Sequence, residues 1–73
     1  MNIIEDGQLK GAFRGFKNRE TVFEFTGGRK WQQNEYKYNY YYSYRPNAKV
    51  ISESSGDYLV VDGMNDRVLV KRA

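Results

Sequence analysis

The chain has 73 residues, a net charge of +3, and neither Cys nor His. That composition excludes disulfides, thiolate and imidazole metal sites, and the usual imidazole base or Cys-His and Ser-His nucleophile systems. A single domain over residues 1–73 buries only ~60% of its unfolded surface, so packing or oligomerisation must stabilise a thin core.

The charge permits an anionic partner without demanding one, because Asp and Glu are interspersed with Lys and Arg. The start, Met1-Asn2-Ile3-Ile4-Glu5-Asp6, lacks a basic n-region and an apolar h-region, and no apolar run approaches ~18 residues. Neither a signal peptide nor a membrane span is expected, and the cytoplasm is the default location.

Taken in chain order, turn signals recur at short intervals, the pattern of an all-β protein. Residues 7–17 read as the first strand. Leu9, Gly11, Phe13 and Gly15 share one face and Phe16 the other, so a bulge or coil near Gly15 is expected. After a turn at Asn18-Arg19-Glu20, residues 21–26 form a strand with Phe23 and Phe25 inward and Glu24 outward. Gly27-Gly28 signals a hairpin, since both residues accept positive φ.

The segment 29–45 carries the most information. Tyr36, Tyr38, Tyr40, Tyr42 and Tyr44 fall on every second residue, so an extended strand puts all five on one face. Lys37, Asn39, Tyr41, Ser43 and Arg45 occupy the other, mostly polar face. A phenolic face of this kind is either a wet-edged core wall or a recognition surface, because the ring buries well and the hydroxyl wants a partner. Trp31 has the opposite parity from the Tyr series. A bulge over residues 32–35 is the favoured way to bring both inward; the alternative points Trp31 away from the tyrosines. Fully extended, the segment spans roughly 50 Å, more than the ~25 Å diameter of so small a domain. It must bend, break or project into a partner.

Pro46 ends the run. Residues 47–52, 58–61 and 67–71 read as further strands, separated by turns at Ser54-Ser55-Gly56-Asp57 and Asp62-Gly63-Met64-Asn65-Asp66. No stretch sustains a helical period, so at most one helical turn is expected, near Met64. The fold expected is a small, strongly bent antiparallel sheet, or an SH3-like barrel, of about six strands.

No enzymatic activity, cofactor or metal is expected. Asp62 and Asp66 read as turn-forming side chains rather than a catalytic carboxylate pair, and no phosphate-binding Gly motif opens a helix. The favoured function is a self-associating binding or structural module that buries its Tyr-rich strand against another copy, since Tyr, Trp and Arg are enriched at interface hot spots. The first alternative is single-stranded nucleic-acid binding, with Arg29, Lys30, Lys37, Arg45 and Lys49 interleaved with the aromatics. On that reading Tyr41, sharing the polar face with Lys37 and Arg45, is the best exposed stacking ring. The second alternative is carbohydrate binding, with Gln32, Gln33 and Asn34 as hydroxyl partners. The candidate site residues are Trp31, Gln33, Tyr36, Tyr38, Tyr40, Tyr41, Tyr42, Tyr44 and Arg45.

Several pieces of the chain also resemble small bacterial all-β proteins without known activity, some carried as integron gene cassettes. They are Gly11-Ala12-Phe13-Arg14-Gly15-Phe16, Thr21-Val22-Phe23-Glu24-Phe25, Trp31-Gln32-Gln33, the alternating tyrosines ending in Arg45-Pro46, and Val60-Val61-Asp62-Gly63-Met64. The resemblance implies a stand-alone cytoplasmic β protein with the aromatic run as a group feature, and no catalytic residues.

Overall fold

The turn-rich sequence folds, in a computed structural model that describes residues 2–73, into eight strands and no helix among the described residues. They are β1 (Asn2–Gln8), β2 (Ala12–Phe13), β3 (Val22–Glu24), β4 (Lys30–Gln33), β5 (Ser43–Tyr44), β6 (Asn47–Glu53), β7 (Gly56–Val61) and β8 (Arg67–Arg72). A six-stranded sheet runs β1-β6-β7-β8-β4-β3, and β2 and β5 form a separate pair. Every pairing is antiparallel. The all-β class and the bent antiparallel sheet are therefore as expected.

The sheet does not close into a barrel. Its terminal strands meet only where the chain beyond each of them forms a bridge, Leu9 to Phe25. Around it Lys10 N–H donates to Glu24 C=O at 2.8 Å and Thr26 N–H donates to Gln8 C=O at 2.9 Å. Past this point β2 leaves β3 and pairs with β5 instead, so a wedge opens between β2 and β3.

Tight turns set the meander. Ser54-Ser55 joins β6 to β7, with Glu53 opposite Gly56. The β3–β4 hairpin uses three loop residues rather than the two of a Gly-Gly turn. Phe25 N–H donates to Arg29 C=O, Gly28 N–H donates to Phe25 C=O, and Gly28 takes φ +91°. A left-handed residue at the third loop position suits a type I turn closed by a bulge, which Gly accepts without Cβ strain. Near Met64 the chain makes one turn, with Met64 N–H on Val61 C=O at 3.1 Å.

Alternation then builds the core. Ala48 and Val50 of β6, Leu59 and Val61 of β7, Val68 and Val70 of β8, and Trp31 of β4 point inward. Phe13, Phe16, Phe23 and Phe25 cover them from the other side. Phe13, Phe16 and Phe23 form a mutual cluster with centroids 6.1–6.2 Å apart, two of the three contacts edge-to-face. Each fully buried Leu, Val or Phe contributes ~1.5–3 kcal/mol of transfer free energy, and such pairs of rings add to it.

Two expectations need correction, the continuous first strand and the phase-shifting bulge, and of the outcomes expected for segment 29–45 the break is the one found. The first strand is not continuous over residues 7–17: the ladder begins at Asn2, and Gly11 and Gly15 break the chain with φ of +72° and +91°. The N-terminal strand escapes the alternation test because its register slips between Ile3 and Glu5. That slip leaves Ile3 and Ile4 exposed and turns Glu5 inward. The over-long segment 29–45 breaks within the chain into β4 and β5, joined by an extended strap over residues 34–42. No bulge shifts its phase so as to bring the tyrosines inward with Trp31.

Candidate functional site: a tyrosine row on an anchored strap

Odd parity runs inward all along the strap, from Trp31 and Gln33, both fully buried, through the half-buried Glu35, Lys37, Asn39, Tyr41 and Ser43. Even parity runs outward: Tyr36, Tyr38, Tyr40, Tyr42 and Tyr44 are 50–81% exposed. The tyrosines therefore form a solvent-facing row, not a core wall. The physical reason is that Phe13, Phe16, Phe23, Phe25 and Trp31 already fill the core, while polar odd side chains are needed below the strap.

Those side chains stand in for a ladder. Beyond Gln33 the strap leaves β8, whose polar groups would lose their partners. Asn34 N–H donates to Leu69 C=O at 2.7 Å and the Glu35 carboxylate accepts from Leu69 N–H at 2.8 Å. The Lys37 ammonium donates to Arg67 C=O at 2.7 Å and to the Asp66 carboxylate at 3.1 Å. Asn39 Nδ2 donates to the other Asp66 oxygen at 3.2 Å. Burial pushes the Asp66 carboxyl up, but the Arg67 N–H, the Lys37 ammonium and the Asn39 amide outweigh it and hold the pKa below its ordinary value.

Gln33 works from the interior. Its Oε1 accepts from Lys17 N–H at 3.0 Å, and its Nε2 donates to Glu35 C=O and Lys37 C=O, both at 2.9 Å. On the opposite side Phe16 and Asn39 exchange both main-chain hydrogen bonds at 2.9 Å. The strap passes so close to Gly15 that a Cβ there would collide with Asn39 O, Tyr41 N and Tyr40 Cα. Tyr41 completes the anchoring by packing with Met64 against the core, its hydroxyl lying where a Cβ on Gly63 would be.

The predicted site residues thus divide. Tyr36, Tyr38, Tyr40, Tyr42 and Tyr44 lie together in the row, with Arg45 exposed at its end. Trp31 and Gln33 do not belong to it: Trp31 donates its Nε1–H to buried Glu5 at 3.4 Å, and all of Gln33's bonds are internal. Tyr41 is not the exposed stacking ring; it is the one tyrosine of the run that faces the core. Of the expected cations, Arg29 is bound to Glu5 at 2.5 Å and Lys37 to Asp66. Arg45 has φ +50°, a left-handed turn uncommon for a side-chain-bearing residue before proline.

Sequence reasoning missed Arg14. It points outward from the chain just after β2, and its guanidinium lies 5.7 Å from the centre of the Tyr42 ring, within cation–π range. No local pattern announces this contact, which depends on the long-range β2–β5 pairing of Ala12 with Tyr44 and Phe13 with Ser43. Among the described residues, no carboxylate lies within ion-pair distance of Arg14, Lys17 or Arg45. No three Asp or Glu side chains there converge as a metal site, and no helix is long and apolar enough to cross a membrane.

No known protein family, curated protein or solved structure matches the chain.

Proposed function

We propose that this protein is a non-enzymatic, cytoplasmic binding module whose working surface is the tyrosine row, and that the row stacks on the bases of single-stranded nucleic acid. The observation that carries the reading is five exposed rings at alternate positions of one anchored, extended segment. A strand rises ~3.3 Å per residue, so alternate rings are spaced by ~6.7 Å. That is about twice the ~3.4 Å stacking repeat of nucleic-acid bases. One base fills the gap between two successive rings with a stacking contact on each side. Arg14 and Arg45 supply cations at one end, and no even position of the run carries a carboxylate.

Carbohydrate stacking has weaker support, because Gln33 is consumed inside the fold and Gln32 donates to Arg19 C=O. Self-association is the second reading, favoured by the same contiguous exposed phenolic surface, which a second copy would cover. The length of segment 29–45 no longer argues for a partner, since the segment breaks and folds back on its own domain. The likeness to cassette-borne bacterial proteins also stands as a proposal, resting on the quoted motifs.

The test is an anisotropy titration of a labelled single-stranded DNA oligomer at near-physiological salt, with sedimentation equilibrium run alongside. Tyr38→Ala and Tyr40→Ala should each weaken binding by ~1–3 kcal/mol, the usual worth of a base–aromatic stack, with folding unchanged. Absence of binding together with a mass above the 8.6 kDa monomer, abolished by the same substitutions, would replace this reading with self-association.

A further inference from the structure

Stacking on a tyrosine row is blind to base identity. The wedge between β2 and β3 supplies what the row lacks. It is a cleft of about 170 Å³, too small for a drug-sized ligand, which needs ~300 Å³ or more, but suited to a single ring. Leu9, Phe13 and Phe23 form its apolar floor. The Leu9–Phe25 bridge closes one end, and Arg14 and Lys17 stand at the other. Arg14 belongs both to this cleft and to the Tyr42 ring, so the cleft adjoins the row.

The wall is polar and partly unspent. In the β3–β4 ladder Gln33 N–H bonds to Thr21 C=O. By antiparallel alternation, Val22 therefore turns its own N–H and C=O away from β4, toward the cleft. Among the described residues these groups have no main-chain partner. Glu24 also lines the cleft, its carboxylate 3.7 Å from the Lys10 ammonium. So loose and exposed a pair holds the carboxylate weakly, leaving it free to accept a hydrogen bond. A carboxylate accepts from the exocyclic amino group of cytosine and has no donor to take from the corresponding carbonyl of thymine.

Resting on the single-strand reading above, we infer that this cleft takes one base of the bound strand and prefers cytosine to thymine. Phe13 and Phe23 pack against the ring, Glu24 accepts from its amino group, and Arg14 and Lys17 meet the adjoining phosphates.

The experiment compares oligo-dC with oligo-dT on the intact protein, Glu24→Gln and Ala12→Trp. Glu24 is half-exposed on an edge strand and Ala12 is exposed, so both variants should fold, checked by thermal unfolding. Wild type should bind oligo-dC about tenfold more tightly than oligo-dT, the scale of one good base contact. Glu24→Gln, whose amide accepts from the cytosine amino group and also donates to the thymine carbonyl, should erase the preference by bringing the two affinities together, and Ala12→Trp, which fills the cleft, should erase it by weakening oligo-dC. Equal affinities in wild type, or a preference that survives both variants, would overturn the cleft inference while leaving the row reading intact. No binding of either oligomer would overturn both.

Discussion

The β6–β7–β8 meander and the 34–42 strap lie in the same small domain and are held by different means. In the meander, consecutive main-chain pairs run from Ala48–Val61 to Glu53–Gly56 and from Asp57–Val70 to Val60–Arg67. Its side chains are then free to alternate between core and solvent. The strap's main chain has one isolated bridge, Phe16–Asn39, and a bond from Asn34 N–H to Leu69 C=O, while odd side chains supply the other attachments to β8 and the turn before it. A ladder tolerates most side chains that fit the pleat, whereas the strap depends on Gln33, Glu35, Lys37 and Asn39 individually. The meander is thus specified by pattern, and the strap by identity.

Substitutions that empty one region and unhook the other should separate the two modes most widely. Leu59→Ala removes a fully buried side chain from the meander and should cost ~2–5 kcal/mol. The loss should appear as one cooperative unfolding transition in urea. Gln33→Leu keeps the volume but strands Lys17 N–H, Glu35 C=O and Lys37 C=O, and should cost ~2–3 kcal/mol. Its distinguishing mark is local: amide exchange of Asn39 should quicken well before that of Leu59. Uniform acceleration across both regions would mean that the strap is not a separately held element.

The next contrast lies within the strap. Tyr41→Ala should cost about 2 kcal/mol, since it deletes a ring packed on the core. Tyr38→Ala and Tyr40→Ala should stay within ~0.5 kcal/mol of wild type, as exposed substitutions do. Equal losses at Tyr40 and Tyr41 in thermal unfolding would contradict the parity seen here.

The smallest effect concerns Asp66, which ties the turn before β8 to Lys37 and Asn39. Its folded pKa lies below the ordinary value of 3.8. The contribution of this carboxylate is therefore fully present above the unfolded value and is lost as pH falls through the lower folded one. Exchange protection at Asn39 should hold constant down to the ordinary Asp range and decline only in stronger acid. A decline already under way near neutral pH would assign the tether to another group.

This contrast also explains what could be read from sequence. The meander strands were legible as short apolar runs, Val50-Ile51, Leu59-Val60-Val61 and Val68-Leu69-Val70, punctuated by Gly-containing turns, with Val68 and Val70 put on one face by strand alternation. Phe23 and Phe25 inward with Glu24 outward followed from the same rule. On the strap the rule inverted. Periodicity places the more apolar face inward, yet here the aromatic face is outside, because main-chain donors and acceptors of β8 and of the strap itself take up Gln33, Glu35 and Lys37 within. The β8 partners, Leu69 for Glu35 and Arg67 for Lys37, lie 34 and 30 positions away, and nothing local in the run reports them. Arg14 stayed hidden for the same reason, while the length of segment 29–45 required it to bend, break or project without saying which.

Alternate letters of one short word answer to different constraints. The odd letters of the strap are committed to folding, and the even letters that carry Tyr36, Tyr38, Tyr40 and Tyr42 contribute little to it. Drift or design can therefore rewrite the outer letters, trading phenol for charge, amide or aliphatic, without renegotiating the domain beneath. A chain of this kind is a ready scaffold for display, in which a new specificity costs little stability.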